Sequence, residues 1–396
     1  MLLTIIIVNY NVKYFLEQCL CSIANALQSG NLLQNGSLAE VLVVDNNSAD
    51  GSIQYLQSRF GFARFICNKE NTGYARANNQ ALQVARGQYV LFLNPDTILP
   101  EDIFQKTLGF MQAHPDAGAL GVRMIDGGGR FLRESKRGLP GAWASFCKMA
   151  GLTALFPSSK MFAPYYLGHL DEYVIQEVEA LSGAFLLART QLLKGIGGFD
   201  ERFFMYAEDI DLSYRITQAG YKNYYLGDAV ILHFKGESTR KDARYVRLFY
   251  KAMRQFVHKH YRSAGGRLSG ALLDIAIRLR TGLAMLGSKN GRSNKIRIPD
   301  SVSLMGDADS IRRLNGWLRE NGIRRSEHSN ASGRSRDVAP ELFCIFCEGR
   351  EYSFKEVIKA ISELAPRQKA LVHASASNSI VGSFDKNAMG ISIAIY

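Results

Sequence analysis

Three carboxylates lie within four positions of the stretch FMYAEDIDLSYRI, which spans residues 204–216. They belong to Glu208, Asp209 and Asp211, and apolar and aromatic side chains surround them. Neighbouring carboxylates repel each other, and partial burial adds a desolvation cost. A bound cation, a proton to be transferred or a basic partner would explain such a cluster, which is therefore a candidate functional site.

The sequence after this cluster predicts a helix over residues 210–219. Glu208 and Asp209 then lie at the helix N-terminus, where the helix dipole favours negative charge. Asp211 and Arg215 are four positions apart, so we expect them to pair on the helix surface. The dipole lowers the cost of the cluster but does not give it a function.

The first hundred residues alternate short β-branched runs with amphipathic stretches. This alternation predicts an α/β fold, in which a mostly parallel sheet is sandwiched by helices. Ligands of such sheets bind at the carboxyl ends of the strands. Polar residues follow each of the first four predicted strands: Asn9, Tyr10 and Asn11; Asp45, Asn46 and Asn47; Asn68 to Asn71; and Asn94, Pro95 and Asp96. These four strand ends predict a binding site, and the irregular residues 124–180 are interpreted as a substrate-side insertion.

Positive charge is concentrated in one part of the chain. The formal net charge of the 396 residues is +12, and residues 235–300 alone hold sixteen Lys and Arg against four acidic residues. Such a block indicates contact with lipid headgroups, a lipid pyrophosphate or nucleic acid, or else a solvated basic face. Residues 240–262 predict a basic, aromatic helix. Residues 268–286 predict a helix that either lies on an anionic membrane or packs on the core.

The last hundred residues predict a second, small α/β unit, with Asp307 and Ser353 as helix N-caps. Gly306 alone follows its first strand, so the dinucleotide fingerprint of three spaced glycines is absent and no cofactor is assigned. Cys344 and Cys347 lack a second ligand pair and are interpreted as part of a buried strand. We predict three units: residues 1–235, a basic helical segment over 236–295, and residues 296–396.

Seven motifs in this order resemble those of the family 2 glycosyltransferases, in the bacterial rhamnosyltransferase-like branch that builds surface polysaccharides. They are TIIIVNYN, VLVVDNNSADGS, NKENTGYARANNQAL, YVLFLNPDT, GAFLLAR, GGFDERFFMYAEDIDLSYR and HFKGES. The resemblance covers roughly residues 1–262 and implies a GT-A fold, a nucleotide-sugar donor, a divalent metal (Mg²⁺ or Mn²⁺) and inversion at the sugar carbon. More distantly, HASASNSIVGSFDKNAMG resembles the Rossmann-like soluble domain of bacterial polyprenyl-phosphate sugar transferases.

The resemblance also implies which residues bind the donor nucleotide. Asp45 is placed like the family's base-reading aspartate, and Gly73 would let the backbone approach the pyrophosphate. The full set of implied donor-binding residues is Asn9, Asn11, Asp45, Asn71, Gly73, Arg76, Asn79 and Asn94.

Metal and catalytic roles follow from two further motifs. Asp96 stands where related enzymes carry an Asp-any-Asp motif, and His233 matches a histidine that the family places against metal or diphosphate, so both are implied metal ligands. In the acidic motif, Asp209 is the implied general base that removes the proton of the acceptor hydroxyl, and Glu208 would orient acceptor or base. Crowding of these charges is expected to raise the proton affinity of the group.

The sequence therefore predicts an inverting glycosyltransferase. It would move rhamnose or another hexose from a nucleoside-diphosphate sugar to a hydroxyl of a lipid-linked oligosaccharide in surface polysaccharide synthesis. Sparse cysteines and the lack of a signal-peptide pattern favour a cytoplasmic protein, peripheral on the inner face of the cell membrane and in contact with anionic lipid. The alternatives are an inactive transferase-like scaffold and a nucleic-acid-binding protein that uses residues 240–262. The second alternative leaves the carboxylates unexplained, so we expect no nucleic-acid partner.

Overall fold

The structure is a computed structural model that describes residues 1–32, 38–234, 243–260, 301–325, 342–365, 368–383 and 390–395. The helix expected over 268–286 and the last four residues of HFKGES lie outside this part of the chain.

A large mixed sheet forms the first half of the protein. Its strands are β1 (Leu3–Asn9), β2 (Ala39–Asp45), β3 (Ala63–Cys67), β4 (Tyr89–Leu93), β5 (Thr97–Ile98), β6 (Ala117–Ile125), β8 (Gln176–Glu177), β10 (Phe185–Arg189) and β11 (Lys222–His233). They follow the order β3-β2-β1-β4-β10-β6-β11-β5, with β8 paired to β11. Two further short strands, β7 (Lys136–Arg137) and β9 (Ala180–Leu181), pair with each other beside this sheet.

Helices cover the large sheet, whose central strands are apolar and buried on both faces. They are α1 (Lys13–Ser29), α2 (Ser52–Leu56), α3 (Tyr74–Val84), α4 (Ile103–Ala113), α5 (Ala142–Met149), α6 (Leu152–Leu155), α7 (Thr190–Gly195), α8 (Glu208–Gln218) and α9 (Ala243–His260). Single-turn 3-10 helices span Arg133–Ser135 and Pro164–Tyr166. Because β1 to β4 are parallel and helix-covered, the predicted fold class is confirmed.

The register of the strands brings the polar strand ends together. Asn9 lies opposite Asp45 in the parallel pair of β1 and β2, and β4 ends on the other side of β1. Strand β10 runs antiparallel to β4, so the start of β10 reaches the same edge. There the Asn94 N–H donates to the Ala184 carbonyl at 3.0 Å. The predicted edge therefore also includes the loop before β10.

The second sheet lies in the last hundred residues. Its strands are β12 (Ser301–Gly306), β13 (Arg324–Arg325), β14 (Leu342–Cys347), β15 (Gln368–His373), β16 (Ser379–Gly382) and β17 (Ile391–Ala394), and its helices are α10 (Ala308–Glu320) and α11 (Phe354–Ser362). Both predicted N-caps are confirmed, because Asp307 accepts from the Ser310 N–H and Ser353 forms a capping box with Glu356. Cys344 and Cys347 are buried in β14, as expected.

Helix α1 packs against both sheets. Its Phe15 and Leu20 belong to one apolar cluster with Phe346 and Val372 of the second sheet. The side chain of Gln18 is fully buried, and its amide donates to the Ser379 carbonyl at 2.9 Å. The two sheets therefore share a core, which the sequence pattern did not indicate.

Gln18 is expected to carry much of this contact. Its oxygen also accepts from the Ala374 N–H at 2.9 Å. Substituting Gln18→Leu leaves these buried backbone groups without partners, at a cost of about 1–3 kcal/mol for each group. We expect the midpoint of urea unfolding of the full chain to fall clearly. Gln28→Leu, at an exposed position of the same helix, is the control, and equal midpoints for the two variants would contradict the assignment.

Candidate active site

The acidic motif begins with a strained turn. Tyr206 and Ala207 have φ angles of 72° and 64°, in the left-handed region that side chains other than glycine rarely adopt. Such strain persists only where surrounding contacts hold it, and it concentrates at functional sites. Helix α8 starts directly after this turn, at Glu208, two residues before the predicted start. Glu208 and Asp209 therefore occupy the first helical turn.

The carboxylate of Asp209 is held from three sides. Its Oδ2 accepts from the Arg137 guanidinium at 2.5 Å and from the Gly183 N–H at 3.0 Å. Its Oδ1 accepts from the Ile210 N–H at 2.8 Å. Burial disfavours the charge of Arg137, but the neighbouring Asp209 carboxylate outweighs it, so the pKa of Arg137 lies above its ordinary value. The cluster of carboxylates thus has a buried basic partner within the same chain.

Glu208 differs from its neighbour in having an unbonded oxygen. The residue is 7% exposed, and its Oε2 has no hydrogen-bond partner among the described residues. Burial, followed by the charge of Asp209, raises the pKa of Glu208 to about 8. The expected rise in proton affinity is therefore present at Glu208, with desolvation rather than charge crowding as its first cause.

Asp211 serves a separate, structural purpose. It accepts from Arg215 Nε at 2.7 Å, which confirms the predicted pair. The predicted surface position is wrong, because Asp211 is fully buried under α9. Lys259 Nζ and His260 Nε2 of that helix approach the other carboxylate oxygen at 2.6 and 2.7 Å. This network ties the basic helix to α8.

Tyr74 connects the acidic motif to the strand ends. Its hydroxyl donates to the Gly183 carbonyl at 2.8 Å. Burial raises the pKa of the Tyr74 phenol, and the charges of Glu208, Asp209 and Asp96 raise it further, in that order. These three carboxylates therefore surround one phenol. The structure brings the implied metal ligand and the implied base to the same place.

The implied metal ligands face each other. His233 Nε2 lies 3.3 Å from Asp96 Oδ1, and both residues are buried. Asp96 Oδ1 has no hydrogen-bond partner among the described residues, and Asn94 Nδ2 lies 3.4 Å from the same imidazole nitrogen. An unsatisfied carboxylate oxygen beside an imidazole nitrogen fits Mg²⁺ or Mn²⁺ chemically. Within the described residues no third His, Cys, Asp or Glu joins them, so the remaining ligands would come from substrate or water.

The first two strand ends form one hydrogen-bonded group. Asn9 Nδ2 donates to Asp45 Oδ1 at 2.7 Å, and the Ser48 N–H donates to Asp45 Oδ2 at 2.9 Å. Asn11 lies next to them and accepts from the Ala49 N–H at 2.7 Å. The Asn9 oxygen is buried without a partner among the described residues, so it could accept a hydrogen bond from a ligand.

Gly73 is required by packing. Its φ is +82°, and an added Cβ would lie 2.7 Å from both the ring and the carbonyl oxygen of Phe204. The Asn71 side chain accepts from the Gly73 N–H at 3.0 Å and holds the turn in place. The glycine therefore lets the start of α3 approach the acidic motif. Its expected contact with a pyrophosphate stays a prediction.

Asn79 and Arg76 follow on α3 with different surroundings. The Asn79 amide binds the N–H and carbonyl of Phe199, both at 2.8 Å, and so fixes the turn formed by Gly197 and Gly198. That role is structural and leaves the expected donor contact of Asn79 without support. Arg76 is exposed and stays a candidate.

Sequence reasoning missed three residues of this site: Tyr74, Arg137 and Gly183. Tyr74 and Gly183 stand inside or beside quoted motifs, so their positions carried a signal. Arg137 lies in the irregular stretch over 124–180, where no periodicity marks a buried ion pair.

The family model described as "Glycosyl transferase family 2" matches residues 4–168. The N-acetylglucosaminyl-diphospho-decaprenol L-rhamnosyltransferase of Mycobacterium tuberculosis is 30% identical over 251 residues, which are 61% of this chain and 78% of the relative. The chain belongs to glycosyl transferase family 2. This family 2 enzyme is a glycosyltransferase, and its mixed sheet between helices is the GT-A fold that the resemblance implied.

Other similar proteins share less with this family 2 enzyme. Rhamnosyltransferase WbbL of Escherichia coli is 25% identical and covers 48% of this chain and 69% of its own. The mannosyltransferase PcManGT from Pyrobaculum calidifontis, solved in complex with GDP-Man and Mn²⁺, has a TM-score of 0.45 and is 18% identical, covering 73% of this chain and 76% of its own. For TarS of S. aureus the TM-score is 0.44 and the identity 20%, over 75% of this chain and 46% of that one.

The raised pKa of Glu208 predicts how stability depends on pH. Below pH 4.5 the carboxyl is protonated in both states; between pH 4.5 and about 8 only the unfolded state releases the proton. The wild-type free energy of unfolding therefore loses stabilisation across this window, by on the order of a few kcal/mol. Glu208→Gln removes this loss, so the variant should gain on the wild type as pH rises. Chemical unfolding at pH 5 and 8.5 measures the difference.

The matched control for this pH experiment is Glu363→Gln, at an exposed position. Its stability should follow the wild type at both pH values. A constant difference between Glu208→Gln and wild type across the window would show that Glu208 does not titrate with a raised pKa.

Proposed function

We propose that this glycosyltransferase inverts the configuration at the sugar carbon and uses Asp209 as its general base. The observation that carries the proposal is the convergence of Asp96, Glu208 and Asp209 around Tyr74. A metal-binding carboxylate and a positioned base close to each other suit the transfer of a sugar from a nucleoside diphosphate to a hydroxyl.

The donor nucleotide is proposed to bind along the strand ends. Asp45, oriented by Asn9 and Ser48, would read the base, as the family resemblance implies. Asn11, Asn71, Gly73, Arg76 and Asn94 complete the proposed donor site. Asn79 acts on it indirectly, by fixing the Phe199 turn.

Asp96 and His233 are proposed to hold a divalent metal together with the diphosphate. Bound Mg²⁺ or Mn²⁺ would offset the negative charge that develops on the departing nucleoside diphosphate. Asn94 lies against His233 and would fix the imidazole orientation.

Asp209 is proposed to accept the proton of the acceptor hydroxyl as its oxygen attacks the sugar carbon. The bond between that carbon and the diphosphate oxygen breaks, and its electron pair leaves with the nucleoside diphosphate. Arg137 and the Gly183 N–H hold the carboxylate in position. Glu208, largely protonated at neutral pH, can donate a hydrogen bond that orients the acceptor.

The identity of donor sugar and acceptor rests on a relative. The M. tuberculosis protein is named for transfer of L-rhamnose to N-acetylglucosaminyl-diphospho-decaprenol. We infer a rhamnose or related hexose donor and a lipid-linked saccharide acceptor for this enzyme too, in surface polysaccharide synthesis at the inner face of the membrane. In the described part of the chain, no helix has the length and apolar character needed to cross a bilayer.

Asp209→Asn should lower sugar transfer by about 100-fold or more, because the amide cannot accept the proton. The measurement is nucleoside diphosphate release from UDP-, GDP- and dTDP-sugars with Mn²⁺ or Mg²⁺ and membrane acceptors. Asp228→Asn, at an exposed position, is the control. Thermal unfolding and donor binding of Asp209→Asn should stay near wild type, which separates a chemical defect from misfolding. Full activity of the variant would exclude Asp209 as the base.

The metal assignment has its own test. Asp96→Asn and His233→Gln should each weaken Mn²⁺ binding in the presence of a nucleoside diphosphate, by about tenfold or more, because each removes one of the two proposed protein ligands. Electron paramagnetic resonance of free Mn²⁺ measures the binding directly. His114→Gln is the matched control, since that ring stacks on Phe110 of α4. Unchanged Mn²⁺ affinity in both variants would remove these residues from the metal site.

A further inference from the structure

We propose that an exposed apolar surface beside the active site docks onto the interfacial region of an anionic lipid bilayer. The surface, called here the aromatic patch, consists of Trp143, Phe146, Leu155, Phe156 and Met161. The proposal rests on the proposed function, because a lipid-linked acceptor is presented at such a bilayer.

The residues of the aromatic patch are unusually exposed for their size. Their exposed fractions are 49% for Trp143, 50% for Phe146, 70% for Leu155, 50% for Phe156 and 57% for Met161. Single exposed apolar residues are normal, but a contiguous group of large ones marks an interaction surface. Removal of this apolar area from water would stabilise a docked state.

The rings form one continuous surface. Trp143 and Phe146 are three positions apart on α5, and their ring centroids stack at 5.5 Å. The Trp143 indole N–H donates to the Met161 carbonyl at 2.7 Å, so the ring is fixed across the loop. Phe162 joins Trp143 to Phe156, at 6.5 and 5.3 Å between centroids. The patch is therefore pre-formed.

The charge around the patch favours anionic lipid. Residues 138–170 contain no Asp or Glu and carry Lys148 and Lys160. Lys160 is exposed next to Met161. Aromatic side chains combined with lysines and no acids are typical of segments that lie in the headgroup region of a membrane. Tryptophan in particular prefers this interface.

The other face of α5 packs beside the acidic motif. Ala144 belongs to one buried cluster with Ala207 and Ile210, which flank Glu208 and Asp209. Arg137, just before the acid-free stretch, is the ion-pair partner of Asp209. Docking of the aromatic patch would therefore hold the catalytic carboxylates near the headgroup level, where a lipid-linked saccharide begins.

Tryptophan fluorescence can test the insertion directly. The chain contains two tryptophans, so Trp317→Phe leaves Trp143 as the reporter. The full chain is mixed with vesicles of phosphatidylcholine containing phosphatidylglycerol, with or without brominated acyl chains. We expect a blue shift of the emission and quenching by the brominated lipid. Emission that neither shifts nor is quenched would overturn the proposal.

A variant pair tests the surface itself. The double variant Phe146→Ser, Leu155→Ser should partition onto these vesicles at least about tenfold less than wild type, since each serine removes apolar contact. Val84→Ser, an exposed apolar position on α3, is the control and should bind like wild type. Nucleotide-sugar turnover with a water-soluble acceptor should be the same in all three proteins. A loss there would report a failure of catalysis rather than of docking.

Two other occupants give different results, and either would overturn the proposal. Equal partitioning of the double variant and wild type, with all binding lost in 0.5 M NaCl (about a 4 Å screening length), would assign membrane contact to the basic residues 235–300. Dimerisation of the wild type that the double variant abolishes, without vesicle binding, would make a second copy of the chain the partner.

Discussion

The cost of burying two adjacent carboxylates at the start of α8 is the constraint around which the catalytic half is arranged. Asp209 keeps its charge beside Arg137 and backbone N–H groups, and Glu208 avoids an uncompensated charge by holding its proton. The strained turn at Tyr206 and Ala207 positions both side chains. One carboxyl is thereby fixed as an acceptor of hydrogen bonds, and the other is available as a donor.

The loop before β10 is the joint between the two parts of the site. Its Ala184 carbonyl binds Asn94 at the strand ends, its Gly183 N–H binds Asp209, and its Gly183 carbonyl accepts from Tyr74. A side chain at position 183 would lie 3.4 Å from both the Asp209 Cβ and the Tyr74 hydroxyl oxygen. This loop can reach both groups because β10 runs antiparallel between parallel strands, which places its beginning at their carboxyl edge.

Charges that looked like a binding surface in the sequence also have work inside the protein. Lys259 and His260 at the end of the basic helix α9 bind the buried Asp211, and Phe256 of that helix packs in the cluster that includes Ile210. Helix α9 therefore supports α8. On the other side, α1 joins the transferase sheet to the second sheet through a shared core and through Gln18. A change in the second sheet has a direct route to the helix that follows β1.

The sequence by itself determined the α/β class, the polar strand ends, the caps at Asp307 and Ser353, and the motifs that identify the family. These follow from local periodicity, cap chemistry and short motifs, each contained within a few consecutive residues. Tertiary structure alone decided that Arg137 pairs with Asp209, that Asp211 is buried, that Asn79 fixes a turn and that two sheets share α1. Those facts depend on residues tens to hundreds of positions apart, and on how much water their contacts exclude. Desolvation and long-range pairing are properties of the packed chain and leave no periodic signal in the sequence.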